Sequence, residues 1–205
     1  MPIEYEYAFF DFDKKKITDT IMENNGEYIG TFIFRVQVFI HPFNAKGTYI
    51  RVRDEGHRIT MTYKNKDYKT NFEDEYEVTI DNFDTGVMML LGMGCRKKYY
   101  YEKIREIWKL KNTEIVFDTN PGIDDRMEVE SSTQEELDEM IEMFHLIKSE
   151  RPERYKERFG IIIPQSIDLT FTNVKKDLID CVTKNKDEFI ELVDNQLERF
   201  KSLKL

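Results

Sequence analysis

Five doublets of like-charged residues, each spaced i, i+2, run through the chain: Glu4 and Glu6, Arg51 and Arg53, Glu75 and Glu77, Lys103 and Arg105, Glu128 and Glu130. Period-two spacing puts both members of a doublet on one face of a β-strand. Like charges side by side on one face repel, and a merely solvated face mixes signs, so repeated doublets ask for a ligand. Paired carboxylates can hold a hard divalent cation such as Mg2+ or Mn2+ through oxygen, while arginine and lysine meet phosphate oxygens. With Lys64 and Asp118 added, five bases (Arg51, Arg53, Lys64, Lys103, Arg105) face seven acids (Glu4, Glu6, Glu75, Glu77, Asp118, Glu128, Glu130). An acidic excess beside so many phosphate-type groups makes sense when a cation mediates. Metal plus polyphosphate is the economical ligand.

The elements that must carry these residues are strands. IEYEYA, EYIGTFIFRVQVFIHP, GTYIRVRDE, HRITMTYKN, EDEYEVTID, RKKYYYEKIREIWKL, TEIVFDT and RMEVES are rich in β-branched and aromatic residues and bounded by Gly, Pro, Asn or Asp. The pattern predicts a mostly antiparallel sheet. Helices are expected between the strands. One begins at an Asp13 cap and stops at Gly26, and DTGVMMLLGMG follows a cap at Asp84. A third opens on a Thr133/Glu136 capping box, with Leu137, Met140, Ile141 and Phe144 on one face. After a crossover rich in charge and proline, a helical region is predicted from about Val174 to Leu203, burying Leu178, Val182, Phe189 and Leu192.

The charged doublets alternate with apolar residues: Ile50 and Val52 oppose the arginines, Tyr76 and Val78 the acids, Met127 and Val129 the last pair. A helix-covered sheet puts its apolar face against the helices. Periodicity leaves two arrangements open, an open sheet with one wet face, or strands curled so that the charged faces line a polar tunnel.

Composition narrows the class. With 205 residues and 40% hydrophobic content the chain can bury one good core, so a single domain over residues 1–205 is expected, a strand-rich body over 1–148 and a crossover with helical tail over 149–205. A net charge of −9 argues against an extensive nucleic-acid surface. Cys95 and Cys181, far apart, make neither a disulfide framework nor a zinc site. No apolar run reaches the length of a membrane span and the N-terminus lacks a signal peptide's regions, which points to the cytoplasm or the equivalent compartment of an infected host. Oligomeric state is not legible.

The ordered set of motifs resembles the CYTH superfamily, the triphosphate tunnel metalloenzymes. IEYEYA resembles its N-terminal ExExK signature, YIRVRDEGHRITMTYK its paired basic strands, YEKIREIW its Lys-x-Arg strand, and IVFDTNPGIDDRMEVES its late Asp strand and second Glu-x-Glu. The match runs in order over roughly residues 1–148. The resemblance implies an α+β fold: a closed antiparallel β-barrel of about eight strands with a charged interior, helices outside and a C-terminal helical tail. It implies a metal-dependent triphosphatase in which Glu4, Glu6, Glu128 and Glu130 are catalytic and hold Mg2+ or Mn2+. Arg51, Arg53, Lys64, Lys103 and Arg105 bind the triphosphate, with Lys103 and Arg105 also catalytic, and Glu75, Glu77 and Asp118 support them. The substrate is a triphosphate-bearing small molecule (inorganic, nucleoside or thiamine triphosphate) or an RNA 5′ end. A class IV-type adenylate cyclase and a non-catalytic triphosphate-binding module are the alternatives, and no base pocket for a cyclase is evident. A general likeness to relatives in large DNA viruses adds a viral source, and with it host cytoplasm or virion, to the expectation.

One position departs from the signature: Ala8 stands where it has Lys. Loss of a charge-assisted contact is worth about 1.5–3 kcal/mol, so activity is expected to fall ten- to a hundredfold or more unless another group compensates. A compensated natural variant, a degenerate binder and an introduced substitution all fit the sequence. His41, His57 and His145 lack partners at metal spacing and are expected to be structural or exposed. MMLLGMG reads as a buried helix and its cap, YYYEK as aromatics outside the barrel, and NPGIDDR as a loop bringing Asp124 and Asp125 near the entrance. Lys201 and Lys204 could close one end if the last helix docks there.

Overall fold

The computed structural model describes residues 5–10, 12–43, 47–67, 72–147, 154–162 and 167–204. All eight expected stretches are strands: β1 (Tyr5–Phe9), β2 (Glu27–Ile40), β3 (Thr48–Asp54), β4 (Ile59–Asp67), β5 (Phe72–Ile80), β6 (Arg96–Leu110), β7 (Thr113–Thr119) and β8 (Arg126–Ser131). They form one antiparallel sheet in the order β1-β8-β7-β6-β2-β3-β4-β5.

Helices cover the apolar face. In α1 (Lys14–Glu23) the Asp13 carboxylate caps the Lys16 amide at 3.0 Å. The chain leaves through Asn25 at φ 61° and Gly26, where a Cβ would meet the Ile21 side chain at 2.3 Å. In α3 (Gln134–Met143) the Thr133 hydroxyl accepts from the Glu136 amide. The Glu136 carboxylate turns instead to Asn112 and Ser132. Ile17, Ile21, Leu137 and Met140 from these helices meet Phe9, Ile115, Phe117, Met127 and Val129 of the sheet. The helix α2 (Phe83–Gly92) buries Phe83, Val87 and Leu90 on Ile50 and Val52. Its cap is Asn82, which accepts from Thr85 at 2.8 Å; the expected cap, Asp84, lies in the first turn, because an earlier start brings Phe83 under the sheet. Met88 and Met89 of that helix and Met93 at its C-cap are exposed, against the expectation of a buried helix and cap.

The tail covers the middle of the sheet with α4 (Arg154–Phe159), α5 (Val174–Leu178) and α6 (Lys186–Leu203). Leu169 bridges to Tyr101, the Phe171 amide donates to Glu102 at 3.1 Å, and Phe171 and Phe200 pack on Ile104. The helical region is not continuous as predicted. A 3-10 turn over Ile179–Cys181 follows α5, and the amides of Thr183 and Lys184 bond the Phe159 carbonyl at 3.0 Å each, a pairing that a continuous helix would forbid. Leu178, Val182 and Phe189 are buried as expected, and Leu192 partly so. Among the described residues no helix is long and apolar enough to cross a membrane.

Each large apolar side chain so buried contributes about 1.5–3 kcal/mol, which commits one face of the strands beneath the helices to them and leaves the charged faces to one another, while Tyr76 and Val78 of edge strand β5 stay exposed. β3 pairs with Arg35–Phe39 of β2, whereas β7 pairs with Ile104–Leu110 of β6, opposite the earlier part of β2. The two halves are therefore staggered along the central pair, as in a curling sheet. The curl brings Arg58, in the β3–β4 turn, within electrostatic reach of Glu114 on β7, three strands away. Among the described residues no hydrogen-bonded ladder joins β1 to β5, so the sheet is a curled trough open along that seam, and the expected closed barrel is reached only to this extent.

Candidate active site

The floor of the trough is apolar. Central β2 turns Phe34, Val36 and Val38, all buried, to the charged side, opposite Lys103 and Arg53 of its neighbours. Three cations surround the Phe34 ring: Lys103 at 5.3 Å, Arg105 at 5.5 Å and Arg53 at 6.0 Å from its centroid. The ring's negative face eases their mutual repulsion.

On one wall Asp118, 0% exposed, accepts from Lys103 at 2.8 Å and from Arg105 at 2.7 and 2.5 Å. Arg105 also reaches Glu128 at 2.6 Å. Burial works against a charged Asp118, but Lys103 and Arg105 outweigh it and hold its carboxyl well below the usual range. Burial, with Arg105 alongside, pushes Lys103 down to about 8 in spite of Asp118. The two directions are compatible because Asp118 is shared among several cations.

The other wall repeats the pattern. Lys64 meets Glu75 at 2.6 Å, Arg51 lies 3.9 Å from Glu75 and 4.0 Å from Glu77, and Arg53 lies 3.5 Å from Glu77. Thr62 donates to Glu77 at 2.8 Å. Burial opposes ionisation of Glu77, yet the Thr62 bond and Arg53 keep its carboxyl lowered. The like-charge doublets are thus answered across strands, acids on β5 against bases on β3 and β4, and acids on β7 and β8 against β6. Repulsion within a doublet alone does not demand a ligand.

Two features stand apart from this pairing. Arg53 Nε, Thr60 Oγ1 and Arg126 Nε are buried without a hydrogen-bond partner among the described residues, the first two on residues paired directly across β3 and β4. Burial, then Arg51, lowers the Arg53 pKa. The second feature is the acidic corner, where Glu6 faces Glu130 across β1 and β8, and Ala8 faces Glu128. Although Glu6 is open to solvent on one side, partial withdrawal from water, followed by Glu128 and Glu130, pushes its carboxyl up to about 7. Glu4 lies outside the described residues. Among the described residues no three ligating side chains are already gathered for a metal.

Several lining residues were missed from the sequence. Arg126 donates to Glu128 and lies 3.6 Å from Asp118; its signal was available, since it extends the Glu128/Glu130 face by two residues. Glu55, 3% exposed, binds Arg53 at 2.5 Å and Arg58 at 2.6 Å from a turn, where period-two reasoning does not reach. Tyr99 and Tyr101 stand opposite Val38 and Val36, on the charged side rather than outside as expected, and burial, then Tyr49, pushes the Tyr101 hydroxyl up. The histidines take structural or surface places: His57 packs on Phe32 with ring centroids 4.9 Å apart, His41 Nδ1 accepts from the Phe43 amide, and His145 ends α3 at φ 53°. Lys201 pairs with Glu198, and Lys204 lies over the Phe200 ring.

A family profile described as the CYTH domain matches residues 39–156. Among solved structures, the PH1012 protein of Pyrococcus horikoshii is 18% identical with a TM-score of 0.60, covering 71% of this chain and 92% of its own. A putative adenylate cyclase of Vibrio parahaemolyticus is 16% identical with a TM-score of 0.61, covering 74% of this chain and 95% of its own. A putative adenylate cyclase of Bacillus halodurans is 15% identical with a TM-score of 0.51, covering 77% of this chain and 98% of its own. At such identities the likeness is one of fold. No functionally curated protein matches the chain.

Proposed function

Because the chain belongs to the CYTH domain family, we propose that its charged trough binds a triphosphate together with Mg2+ or Mn2+ and hydrolyses it. The observation that carries this reading is the pair of orphaned atoms, Arg53 Nε and Thr60 Oγ1. A buried donor left unsatisfied costs about 1–3 kcal/mol, and a phosphate oxygen between the two would satisfy both.

The acidic corner fits a hard cation. Glu6, Glu128 and Glu130 offer only oxygen donors, and Glu6 is pushed up first by burial and then by Glu128 and Glu130, against the pull of Arg126. Glu4 joins them by its place in the doublet. A divalent cation held there supplies charge neutralisation at the terminal phosphoryl group.

Arg51, Arg53 and Lys64 on one wall and Lys103 and Arg105 on the other grip the phosphate chain and offset the charge that develops in the transition state. Glu75, Glu77 and Asp118 fix the directions of those cations, and Phe34 with Val36 keeps water from beneath them. Water attacks the terminal phosphorus, its bond to the bridging oxygen breaks, and orthophosphate leaves the shortened chain. Arg126, already bonded to Glu128 opposite Ala8, takes the place of the cation that the family signature has at position 8.

A product assay over inorganic triphosphate, ATP, thiamine triphosphate and triphosphorylated RNA, with Mg2+ or Mn2+, tests the reading. Metal-dependent orthophosphate release is expected. Cyclic nucleotide with diphosphate would replace it by the cyclase, and tight binding without product would leave a binding module.

A further inference from the structure

The charged side of β6 does not end at its cations. Arg105, Lys103, Tyr101 and Tyr99 follow one another on that face, at steps of about 7 Å along the strand. Tyr49 of β3 joins them from the face that carries Arg51 and Arg53, and hydrogen-bonds Tyr101 side chain to side chain. The Tyr99 and Tyr101 rings lie 6.1 Å apart at 40°, and all three tyrosines are half-buried. Phosphate oxygens and a divalent cation call for charged partners, so three flat aromatic rings in the same trough suit a different chemistry.

The fold leaves room at this end. β7 pairs with β6 only from Ile104 onward, so Tyr99 and Tyr101 lie beyond the wall that β7, β8 and β1 build. Among the described residues that stretch of β6 is bordered instead by the tail at Leu169, which exchanges backbone hydrogen bonds of 2.9 Å with Tyr100 and Glu102. The acidic corner lies the other way, since Glu128 and Glu130 reach β6 through Val116 and Glu114, opposite Ile107 and Lys109. A terminal phosphate at that corner, with its chain running along Arg105 and Lys103, therefore presents its far end to Tyr101.

We propose that Tyr99 and Tyr101, braced by Tyr49, stack on the base of a nucleoside triphosphate and so set a preference for it over inorganic triphosphate, an inference that rests on the triphosphate reading above. Every nucleobase has a π-face, so stacking on tyrosine takes purines of either kind alike. The charge around the rings favours a neutral heterocycle. Lys98 Nζ already lies 5.5 Å from the Tyr99 centroid, and the Arg51 guanidinium 5.8 Å from that of Tyr49. A cationic ring such as the thiazolium of thiamine would meet both charges and lose there what it gains from the tyrosine faces.

Titration calorimetry with Mg2+ present, using inorganic imidotriphosphate and the β,γ-imido analogues of ATP and GTP, tests the proposal on the wild type, Tyr99→Leu, Tyr101→Leu and Tyr99→Phe. Both nucleotide analogues are expected to bind the wild type about tenfold more tightly than imidotriphosphate. Tyr99→Leu and Tyr101→Leu should each remove most of that preference with the imidotriphosphate affinity unchanged, whereas Tyr99→Phe keeps the ring and should keep the preference. Nucleotides bound no more tightly than imidotriphosphate by the wild type, or a preference that survives both leucine substitutions, would overturn the aromatic site while leaving triphosphate binding intact. Failure of all three ligands to bind would instead remove the triphosphate reading, and this site with it.

Discussion

Replacing Asp118 by asparagine keeps the shape of the side chain and removes the charge that Lys103, Arg105 and Arg126 share at 2.8, 2.5 and 3.6 Å. The Lys103 and Arg105 side chains are only 10% and 15% exposed, so their charges cannot turn to water. Breaking a buried pair from one side costs about 3–5 kcal/mol. Glu128 still holds Arg105 at 2.6 Å, which places this case near the lower end. At about 2–4 °C per kcal/mol for a chain of this length, the midpoint should fall by about 6–12 °C at pH 7. Because the folded-state pKa of Asp118 is depressed, its contribution is present above the unfolded carboxylate range and lost as pH falls toward the folded value, so the gap between wild type and variant should close in acid. Inorganic triphosphate brings anionic oxygens to the abandoned cations and should raise the variant's midpoint more than the wild type's. Thermal unfolding by circular dichroism, with and without triphosphate, reads all three effects. A drop of under about 2 °C at pH 7, or identical ligand shifts, would refute the buried network described here.

Lys103, pushed down to about 8, is charged below that pH and neutral above it, so triphosphate affinity should decline as pH rises through 8, and Lys103→Arg should abolish the decline; calorimetry across pH 6–9 reads it. Arg53→Ala should weaken triphosphate binding by about 10- to 100-fold, the worth of one or two charge-assisted hydrogen bonds, and unchanged affinity and turnover would defeat its assignment. Arg126→Ala should lower turnover about tenfold, and Ala8→Lys in that background should restore part of it, whereas Ala8→Lys alone should gain little; a large gain from the single change would mean that Arg126 does not compensate. Glu130→Ala should cut metal-dependent turnover by an order of magnitude or more, measured as phosphate release over a Mn2+ titration, with no loss of the folded signal in circular dichroism.

Strands such as β3 and β8 were legible because they carry a period-two pattern whose apolar half has to meet helices, as Ile50 and Val52 meet Phe83 and Val87, and long apolar β2 by its β-branched and aromatic content. The same pattern told which residues share the charged side: Arg53, Lys103, Arg105, Asp118 and Glu128 do come together. Their order across the sheet was not legible, and with it the answering of doublets by neighbours such as Glu75 on Lys64, because strand pairing is set by tertiary packing. Closure depends on stagger and tilt, which no strand carries by itself, so a ladder open between β1 and β5 could not be read from alternation. The break before Asn185 escaped notice for a related reason: the apolar spacing from Leu178 to Leu192 suits a helix, and the Phe159 carbonyl that unwinds it lies in a distant segment. Arg126 alone could have been found, by counting back two residues from Glu128.

An experimental structure with Mn2+ and imidotriphosphate bound tests the central claim most directly. The account predicts an anomalous manganese peak beside Glu6, Glu128 and Glu130, with phosphate oxygens on Arg53, Thr60, Lys103 and Arg105. Phosphate and metal bound only outside the trough, with Arg53 Nε and Thr60 Oγ1 still unpartnered, would contradict it.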